Sequence, residues 1–297
     1  MSGEAGPPVA LTVAGSDSGG GAGIQADLKA MSALGVFGVT AITAVTAQNT
    51  ESVVEVHRLP PEMVEAQIAA VLDDLPVAAV KTGLLGTPEV VGVVAARARA
   101  GTLPRLVVDP VLVASTGRTF VTEETVDAYR RELLPEALVA TPNLFEAAIL
   151  AGEDPASIRD TGGMIELAKD IHRMGAAWVL VKGGHLPGVE HASDAARPPV
   201  VPDVLFDGAR GVSTVFEGPR VETVNTHGTG CTLSAAIAAL LARGMEPHRA
   251  VADAKTFVRR ALEGATRWRL GRGHGPLDPF GWTEAGTTDR FAQQPAG

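Results

Sequence analysis

The chain has 297 residues, of which 45% are hydrophobic, and this is enough apolar material for the core of one large domain or two ordinary ones. Its formal net charge of −9 argues against nucleic acid or an anionic membrane as the main partner. With one cysteine, no recognisable signal peptide and no apolar run near the ~20 residues of a membrane span, the sequence predicts a cytoplasmic protein without disulfides or a cysteine-based zinc site.

Strands and helices are predicted to alternate from the N-terminus onward. The β-branched run at residues 9–14 ends at Gly15 and predicts a strand, and apolar residues then recur at helical spacing from Ile24 to Leu34. Residues 1–8 are expected to form a disordered tail. In this first part of the chain we predict strands over 9–14, 39–47 and 77–81 and helices over 22–34, 61–75 and 88–100.

The second part of the chain continues the alternation and adds a hairpin. The apolar runs at 204–206 and 212–216 flank a turn sequence, which predicts an antiparallel hairpin at one edge of the sheet. The four prolines within 187–202 indicate a loop, and the chain after Trp282 is expected to fray. The other predictions are strands over 106–109, 138–141 and 178–182 and helices over 123–134, 144–151, 164–174 and 247–268.

This alternation identifies the α/β class. Repeated strand–helix units favour a mainly parallel sheet with helices on both faces, and such sheets bind ligands at the carboxyl ends of their strands. No linker or internal repeat divides the chain, so we predict a single domain over residues 9–282. Polar side chains lie at or just after the predicted strand ends, and they are Asp17, Gln48, Lys81, Asp109, Asn143 and Lys182.

A glycine turn with a cysteine precedes an Ala- and Leu-rich helix that runs to Leu241. Gly228 and Gly230 allow positive φ and close approach of a ligand, and the first amides of the helix should converge on one anion. Cys231 lies where this helix begins, and there we expect a thiol to ionise more readily than a free one. The alternative is a tight turn in which Cys231 is a small buried hydrophobe.

Three familiar motifs are incomplete or absent. Residues 21–26 match G-x-G-x-x-A, but no Asp or Glu occurs between Asp27 and Glu51 to hold the ribose of a dinucleotide. Neither G-x-x-x-x-G-K-[ST] nor G-x-S-x-G occurs in the sequence. Two glycine loops with carboxylates and lysines at strand ends instead suit phosphoryl transfer, which depends on positioning and on stabilising the charge of the transferred group with Mg²⁺.

An ordered set of short motifs extends this interpretation. The motifs cover residues 14–29, 46–50, 80–85, 108–111, 141–147, 181–185 and 225–231. In order and spacing, from about residue 9 to 270, they resemble the hydroxymethylpyrimidine/phosphomethylpyrimidine kinases of thiamine biosynthesis, which belong to the ribokinase-like family. The resemblance implies a three-layer ribokinase-like fold and a homodimer. It also implies the use of ATP and Mg²⁺ to phosphorylate 4-amino-5-hydroxymethyl-2-methylpyrimidine and then its monophosphate.

The resemblance further implies roles for individual residues. Cys231 matches the catalytic base, and the anion hole is matched by Gly228, Thr229 and Gly230. Positions around the pyrimidine are matched by Gly15, Asp27, Gln48, Leu84 and Val111. Asn143 and Glu146 match an N-x-x-E element that organises Mg²⁺ through water, with Asp109 close to the metal and the phosphates. Positions on the nucleotide side are matched by Lys182 and Lys255.

The chemistry of these residue types agrees with such roles, although plainer alternatives exist. The carboxamide of Gln48 can both donate to and accept from an aminopyrimidine edge, and Asp27 can accept from an amino group. Gln48 could instead be satisfied by loop backbone, Glu146 could serve as a helix N-terminal charge, and Lys182 could be solvated.

Two other functions stay open at this point. Some pyridoxal kinases of the same family share the cysteine form of the motif at Cys231, so a kinase of B6 vitamers is the nearest alternative. A non-catalytic pyrimidine-binding protein on the same fold is the alternative from another class.

Overall fold

One sheet of nine strands passes through the computed structural model, which describes residues 6–112, 121–186 and 199–282. Its strand order is β3-β2-β1-β4-β5-β6-β7-β8-β9, with the numbers following the chain. The strands are β1 (Val9–Asp17), β2 (Phe37–Gln48), β3 (Val53–Arg58), β4 (Val77–Thr82), β5 (Leu106–Val108), β6 (Val139–Ala140), β7 (Trp178–Lys182), β8 (Val200–Asp207) and β9 (Val212–Pro219).

Within the described residues, eight α-helices connect or follow these strands. They are α1 (Gly23–Ala33), α2 (Pro61–Asp74), α3 (Pro88–Arg99), α4 (Glu123–Ala128), α5 (Leu144–Ala151), α6 (Thr161–Arg173), α7 (Thr229–Ala242) and α8 (Pro247–Ala265). After α4 the chain continues as a π-helix over Tyr129–Leu133 and then as a 3₁₀-helix over Leu134–Glu136. A further 3₁₀ turn covers Pro155–Ser157.

The centre of the sheet is parallel and both edges are antiparallel. Neighbouring strands from β2 through β1, β4, β5 and β6 to β7 pair in parallel, whereas β3 pairs antiparallel with β2. At the other edge β7, β8 and β9 pair antiparallel. The predicted mainly parallel sheet and edge hairpin are therefore confirmed.

Side-chain alternation along the strands divides the interior into two layers. Leu11, Val80 and Val108 belong to the cluster that packs under α2, α3, α5 and α6, whereas Ala79 and Val107 belong to the cluster under α1, α7 and α8. Because successive strand residues point to opposite faces, each central strand contributes to both layers. The result is the expected three-layer arrangement of helices on both faces of a sheet.

Several predicted element boundaries were wrong. Strand β3 was missed because most of its residues are exposed, so the apolar periodicity that marks a buried strand is weak. The predicted helix 123–134 is α-helical only to Ala128. Val200–Pro202 belongs to β8 rather than to a loop, since it pairs with Glu217–Pro219.

The predicted terminal tails and central loop are only partly covered. Residues 1–5, 187–198 and 283–297 lie outside the described residues. The carbonyl of Pro8 accepts a hydrogen bond from the amide of Phe37, so the chain is already bonded to β2 one residue before β1 begins. Within the described ranges, no helix combines the length and the apolar character needed to cross a lipid bilayer.

Candidate active site

The carboxyl ends of three central strands deliver charged side chains to one place. The three side chains are Lys81 of β4, Asp109 after β5 and Lys182 of β7. Each lies two positions after an apolar residue that faces the layer of α1, α7 and α8, and these residues are Ala79, Val107 and Leu180. Residues two positions apart in a strand point to the same face of the sheet. Since the strands are parallel, their carboxyl ends meet at one edge. Lys81, Asp109 and Lys182 therefore lie beneath the start of α7.

Asp109 and Lys182 form an ion pair within this group. Lys182 Nζ donates to Asp109 Oδ1 at 3.0 Å, and the hydroxyl of Ser234 in α7 donates to Asp109 Oδ2 at 3.1 Å. Burial opposes the ionisation of Asp109, but the charges of Lys182 and Lys81 outweigh burial and lower its pKa. Lys182 is thus held by a carboxylate and is not simply solvated.

The glycine turn lies directly above this pair. Gly228 has φ +82°, but Gly230 does not have positive φ, so the expectation of two left-handed glycines holds only for Gly228. Gly230 matters for space instead, because a Cβ built there would lie 3.2 Å from Lys182 Nζ. The turn leaves room for a ligand beside the ammonium group.

The first amides of α7 are suited to an anion. Thr232 N donates to the carbonyl of Gly228 at 2.8 Å, which closes the first helical turn, and Thr229 N donates to Thr226 O at 3.3 Å. Among the described residues, the amides of Gly230 and Cys231 have no backbone carbonyl partner. Free amides at a helix N-terminus, beside a lysine, form a site that favours negative charge.

Cys231 does not have the low pKa that its position at a helix N-terminus predicted. Burial raises the pKa of its thiol to about 11, and the negative charges of Asp27 and Asp109 act in the same direction. Lys81 and a hydrogen bond from the amide of Gly23 oppose this shift. Part of the residue stays accessible. The effects of burial and of the two carboxylates therefore outweigh those of Lys81 and Gly23.

Asn143 and Glu146 form a capping box at the start of α5. The Asn143 side chain accepts from the Glu146 amide at 2.9 Å, and the Glu146 carboxylate accepts from the Asn143 amide at 2.8 Å. The plainer helix-capping role of both residues is therefore present. Burial raises the pKa of Glu146 to about 8, against the opposing charge of Lys182.

A magnesium ion held mainly through water fits these donors. Across the described ranges, no group of three or more His, Cys, Asp or Glu side chains lies at metal-ligand spacing. Mg²⁺ at nucleotide sites commonly keeps several waters and takes one or two carboxylates plus phosphate oxygens. Asp109 and Glu146 interact electrostatically with each other and with Lys182, so two carboxyl groups are available on one side of the site.

The substrate-side residues gather around His227. Its ring Nε2 lies 3.0 Å from Asp17 Oδ2 and 3.1 Å from the carboxamide of Gln48. Burial opposes the charge of Asp17, but hydrogen bonds from His227, Ala22 and Gly19 lower its pKa. A carboxylate only accepts, so the hydrogen on His227 Nε2 points to Asp17. The amide nitrogen of Gln48 lies beside the same ring, and its oxygen accepts from the Thr46 hydroxyl at 3.2 Å.

Leu84 and Gly15 lie next to each other in this region. A Cβ built on Gly15 would lie 3.4 Å from Leu84 Cδ2, so the glycine leaves a shallow space beside the leucine. Val111 follows Asp109 by two residues and is half-buried. These residues supply the apolar part of the substrate side.

Asp27 differs from expectation. Its carboxylate has no exposed surface and is paired with Lys81 at 2.9 Å, and it also accepts from the Thr12 hydroxyl at 2.6 Å. A fully covered carboxylate cannot contact a ring unless side chains move. In this structure Asp27 neutralises a lysine beneath the site.

Lys255 also has a partner of its own. Its ammonium group bonds to Asp203 of β8, whose other oxygen accepts from the amide of Gly183 at 2.8 Å. Gly183 directly follows Lys182, so Lys255 lies behind the nucleotide side of the site. Its charge is already matched by a carboxylate, and direct contact with phosphate stays a prediction.

The N-terminal glycine loop packs against the turn that contains Gly228. A Cβ built on Gly228 would lie 1.8 Å from the carbonyl oxygen of Gly21, and one on Gly21 would lie 2.5 Å from His227. The G-x-G-x-x-A segment thus packs against the turn at Gly228.

Residues after α8 contact two loops of the candidate site, and no sequence pattern predicted this. The segment 268–278 crosses the gap between two loops: the His274 amide donates to Thr50 O at 3.0 Å, and His227 N donates to Gly275 O at 3.1 Å. Arg272 pairs with Glu51 at 2.7 Å. We call this segment the strap. It joins the turn after Gln48 to the turn before Gly228.

Four residues near the candidate site had no function assigned from the sequence, and they are Lys81, Asp17, His227 and Ser234. Lys81 and Asp17 could have been singled out, since both lie at the ends of predicted strands, and His227 lies within the glycine-turn motif. Ser234 carries no signal of its own, because its contact with Asp109 spans 125 positions.

The profile of the family described as phosphomethylpyrimidine kinase matches residues 17–278. The chain is 48% identical to the hydroxymethylpyrimidine/phosphomethylpyrimidine kinase of Rhizobium meliloti, over 92% of this chain and 97% of that protein. A Bacillus subtilis pyridoxal kinase in complex with ADP is 36% identical, with a TM-score of 0.80 over 93% of this chain and 99% of that one. A phosphomethylpyrimidine kinase of Clostridium difficile 630 is also 36% identical, with a TM-score of 0.72 over 86% and 99% of the chains.

Proposed function

The chain belongs to the phosphomethylpyrimidine kinase family, and on that premise we propose that it transfers the γ-phosphoryl group of ATP in two steps of thiamine biosynthesis. The first acceptor is the alcohol of 4-amino-5-hydroxymethyl-2-methylpyrimidine, and the second is the phosphate of the resulting monophosphate. One observation carries the proposal: Gly230, Lys182 and Cys231 surround a single point where free helix amides favour an anion.

In the first step, the pyrimidine hydroxyl attacks the γ-phosphorus of ATP. A bond forms between the hydroxyl oxygen and phosphorus, the bond to the bridging oxygen of ADP breaks, and the hydroxyl proton passes to Cys231 Sγ. The turn over Gly228, Thr229 and Gly230 stabilises the negative charge on the transferred group, with the amide of Gly230 free to donate and that of Thr229 bonded to Thr226 O until a phosphate replaces it. Lys182, beside Gly230, neutralises phosphate oxygens at the same point.

Magnesium belongs to the nucleotide side of this proposal. When bound, Mg²⁺ neutralises charge on the phosphates. Asp109 and Glu146 would hold it through water, with Asn143 fixing the position of Glu146 through the capping box. Lys255 would act behind Lys182 through Asp203, not as a free cation.

Recognition of the pyrimidine is assigned to the other side of the site. The carboxamide of Gln48 offers a donor and an acceptor to the ring edge, and its orientation is fixed by His227 and Thr46. Gly15, Leu84 and Val111 line the apolar part of this region. Asp27 contributes from below through Lys81, and contact between its carboxylate and the ring would require a side-chain movement.

We further propose a homodimer located in the cytoplasm, where ATP is available. The outer strands β2 and β3 expose apolar side chains, among them Phe37 and Val45, and Val54 is 76% exposed. Exposed apolar patches often mark interfaces between protein molecules. Light scattering of the purified protein at micromolar concentration tests this assembly, and a monomeric mass there would contradict it.

A coupled assay of ADP release tests the activity. ATP should be consumed when the pyrimidine alcohol is added and again when the monophosphate is added, but not when ATP is supplied alone. No turnover with either pyrimidine acceptor would overturn the proposed function and favour a binding protein.

Pyridoxal kinase is the second candidate, because the pyridoxal kinase of Bacillus subtilis has the same fold at a TM-score of 0.80. Pyridoxal also presents a hydroxymethyl group on a flat nitrogen ring. We expect kcat/KM for the pyrimidine alcohol to exceed that for pyridoxal by at least about tenfold, the effect of one well-placed hydrogen bond. Equal values would make the substrate assignment wrong.

A further inference from the structure

Lys81 and Asp27 form an ion pair in the floor of the site, and the mechanism above uses neither residue directly. Lys81 Nζ lies 2.9 and 3.0 Å from the two carboxylate oxygens of Asp27, and both side chains are 0% exposed. The hydroxyl of Thr12 donates to Asp27 as well. Replacing a buried ion pair by apolar residues is often neutral or stabilising, so fold stability alone gives little reason for it.

The ion pair lies close to the thiol of Cys231. Lys81 of β4 pairs with Thr12 of β1 in the sheet. Both side chains lie on the face of the sheet that packs against α1 and α7. The amide of Gly23, at the start of α1, lies near enough to the Cys231 thiol to lower its pKa. Asp27 lies one helical turn further on the same side of α1, about 5–6 Å along the helix. The ion pair and the thiol thus share one pocket.

Four ionised side chains face Cys231 from four elements. They are Asp27 of α1, Lys81 of β4, Asp109 after β5 and Lys182 of β7. Burial raises the pKa of Asp27, although its contact with Lys81 opposes that shift. With Asp27 ionised in its pair with Lys81, two of the four side chains are positive and two are negative, so the formal sum is zero and a thiolate adds an uncompensated negative charge. This balance agrees with the raised pKa of Cys231. Burial opposes the charge of Lys81, but Asp27, Cys231 and Asp109 outweigh burial and raise its pKa, so Lys81 stays ionised.

We propose that Lys81 is a positioning residue that supplies the counter-charge for the Cys231 thiolate, and that Asp27 limits how much of that charge the thiolate receives. The proposal deepens the assigned role of Cys231 as proton acceptor and rests on it. The thiolate, not the thiol, can accept a proton from a hydroxyl. A cation fixed at the bottom of the pocket would stabilise that form without contacting the substrate.

The two members of the ion pair should act in opposite directions. Lys81→Met removes a positive charge and changes the summed formal charge of the four side chains to −1, so the thiolate becomes harder to form. Asp27→Asn keeps an acceptor for Thr12 and leaves the set at +1, so the thiolate becomes easier to form. The double variant restores a sum of zero and removes both buried charges. If the ion pair had a purely structural role, both single variants would shift the ionisation of Cys231 in the same direction.

Alkylation of the thiol measures this ionisation directly. The chain has one cysteine, so the uptake of iodoacetamide, followed by mass spectrometry, reports on Cys231 alone. We expect the midpoint pH of alkylation to rise by about one unit in Lys81→Met and to fall by about one unit in Asp27→Asn, each a tenfold change in thiolate fraction. The midpoint of the double variant should lie between the two. Lys169→Met, which changes an exposed partner of Glu166, should leave the midpoint unchanged.

Equal midpoints in wild type and both single variants would overturn the proposal, as would shifts of the same sign. If Lys81→Met fails to fold, Asp27→Asn against the double variant still decides, because those two proteins differ only by the charge of Lys81. The alkylation needs neither ATP nor pyrimidine. A protein that lacks the proposed kinase activity could therefore still show opposite shifts, and failure of the proposed function is distinguished from failure of this proposal. In an active enzyme, the acid limb of kcat should move with the alkylation midpoint.

Discussion

The carboxamide of Gln48 lies 3.1 Å from the ring of His227, although the two residues are 179 positions apart in the chain. The contact joins the end of β2 to the turn before α7, so the proposed substrate side and the anion turn share one hydrogen-bond network. Asp17 completes it from the end of β1. We therefore expect substrate recognition and phosphate positioning to be coupled through a single imidazole.

His227→Ala should weaken pyrimidine binding more than ATP binding. Loss of the hydrogen bond that orients Gln48 costs about 1–1.5 kcal/mol, which corresponds to a rise in KM for the pyrimidine of roughly tenfold. Steady-state kinetics with each substrate varied in turn checks this, and Gln48→Ala should give the same selective loss. His248→Ala, at an exposed ring that contacts Phe216, is the control. A larger effect on the KM for ATP would contradict the arrangement.

Gly228→Ala and Gly230→Ala should fail in different ways. Alanine at 228 is strained at φ +82° and overlaps Gly21, so we expect a loss of about 2–4 kcal/mol in the free energy of unfolding. Alanine at 230 meets only the mobile end of Lys182, so the protein should stay as stable as wild type while kcat falls by about tenfold or more. Denaturant unfolding and turnover, measured side by side, separate the two. Equal stability of both variants would be the contrary result.

Cys231→Ala should lower kcat by ~10²- to 10⁴-fold, the usual range for loss of a general base. Alanine keeps the Cβ and only leaves the position of the sulfur empty, so pyrimidine affinity measured by calorimetry should change little. Single-turnover rates avoid confusion with product release. A rate near that of the wild type would remove the base assignment.

Glu146→Gln should make the protein more stable above neutral pH when divalent cations are removed with EDTA. The pKa of Glu146 is about 8 in the folded chain and 4.5 as its ordinary value. Its protonated form is thus favoured on folding, and that contribution is complete below pH 4.5 and lost as pH rises through 8. Glutamine stays neutral and keeps the capping box.

The gain in this variant should reach a few kcal/mol at pH 9, at about 1.4 kcal/mol per pKa unit, and vanish near pH 4. Thermal unfolding across this pH range measures it, with Glu153→Gln, an exposed residue just after α5, as the matched control. A gain that is constant with pH would show that the carboxyl group is not the cause.

Gly273→Ala should loosen the strap. A Cβ at this position would lie 2.0 Å from the carbonyl oxygen of Thr50, so the strap and the turn after Gln48 must separate. We expect a loss of about 1–3 kcal/mol in stability and a rise in KM for the pyrimidine, because Gln48 precedes that turn. Thermal unfolding and steady-state kinetics check both, and Gly218→Ala, whose Cβ would meet no atom within 4 Å, is the control. An unchanged KM would separate the strap from substrate recognition.

The α/β class, most of the elements and the glycine turn at 228–230 could be predicted from the amino-acid sequence. Those features are local: apolar residues repeat at the period of a strand or a helix, and glycines mark a turn. The ordered motifs also led to the kinase family, which the match over residues 17–278 confirms. The exposed strand β3 was missed for a local reason too, since it lacks a buried face.

Which side chains share a charge environment could not be predicted without the three-dimensional fold. Asp27 and Lys81 are 54 positions apart, yet each is the nearest opposite charge of the other, and this pairing turned an expected ring contact into a buried ion pair. The pKa of Cys231 likewise depends on groups from α1, β4, β5 and β7. Ionisation follows burial and distance in space, and neither can be read from the order of residues along a chain.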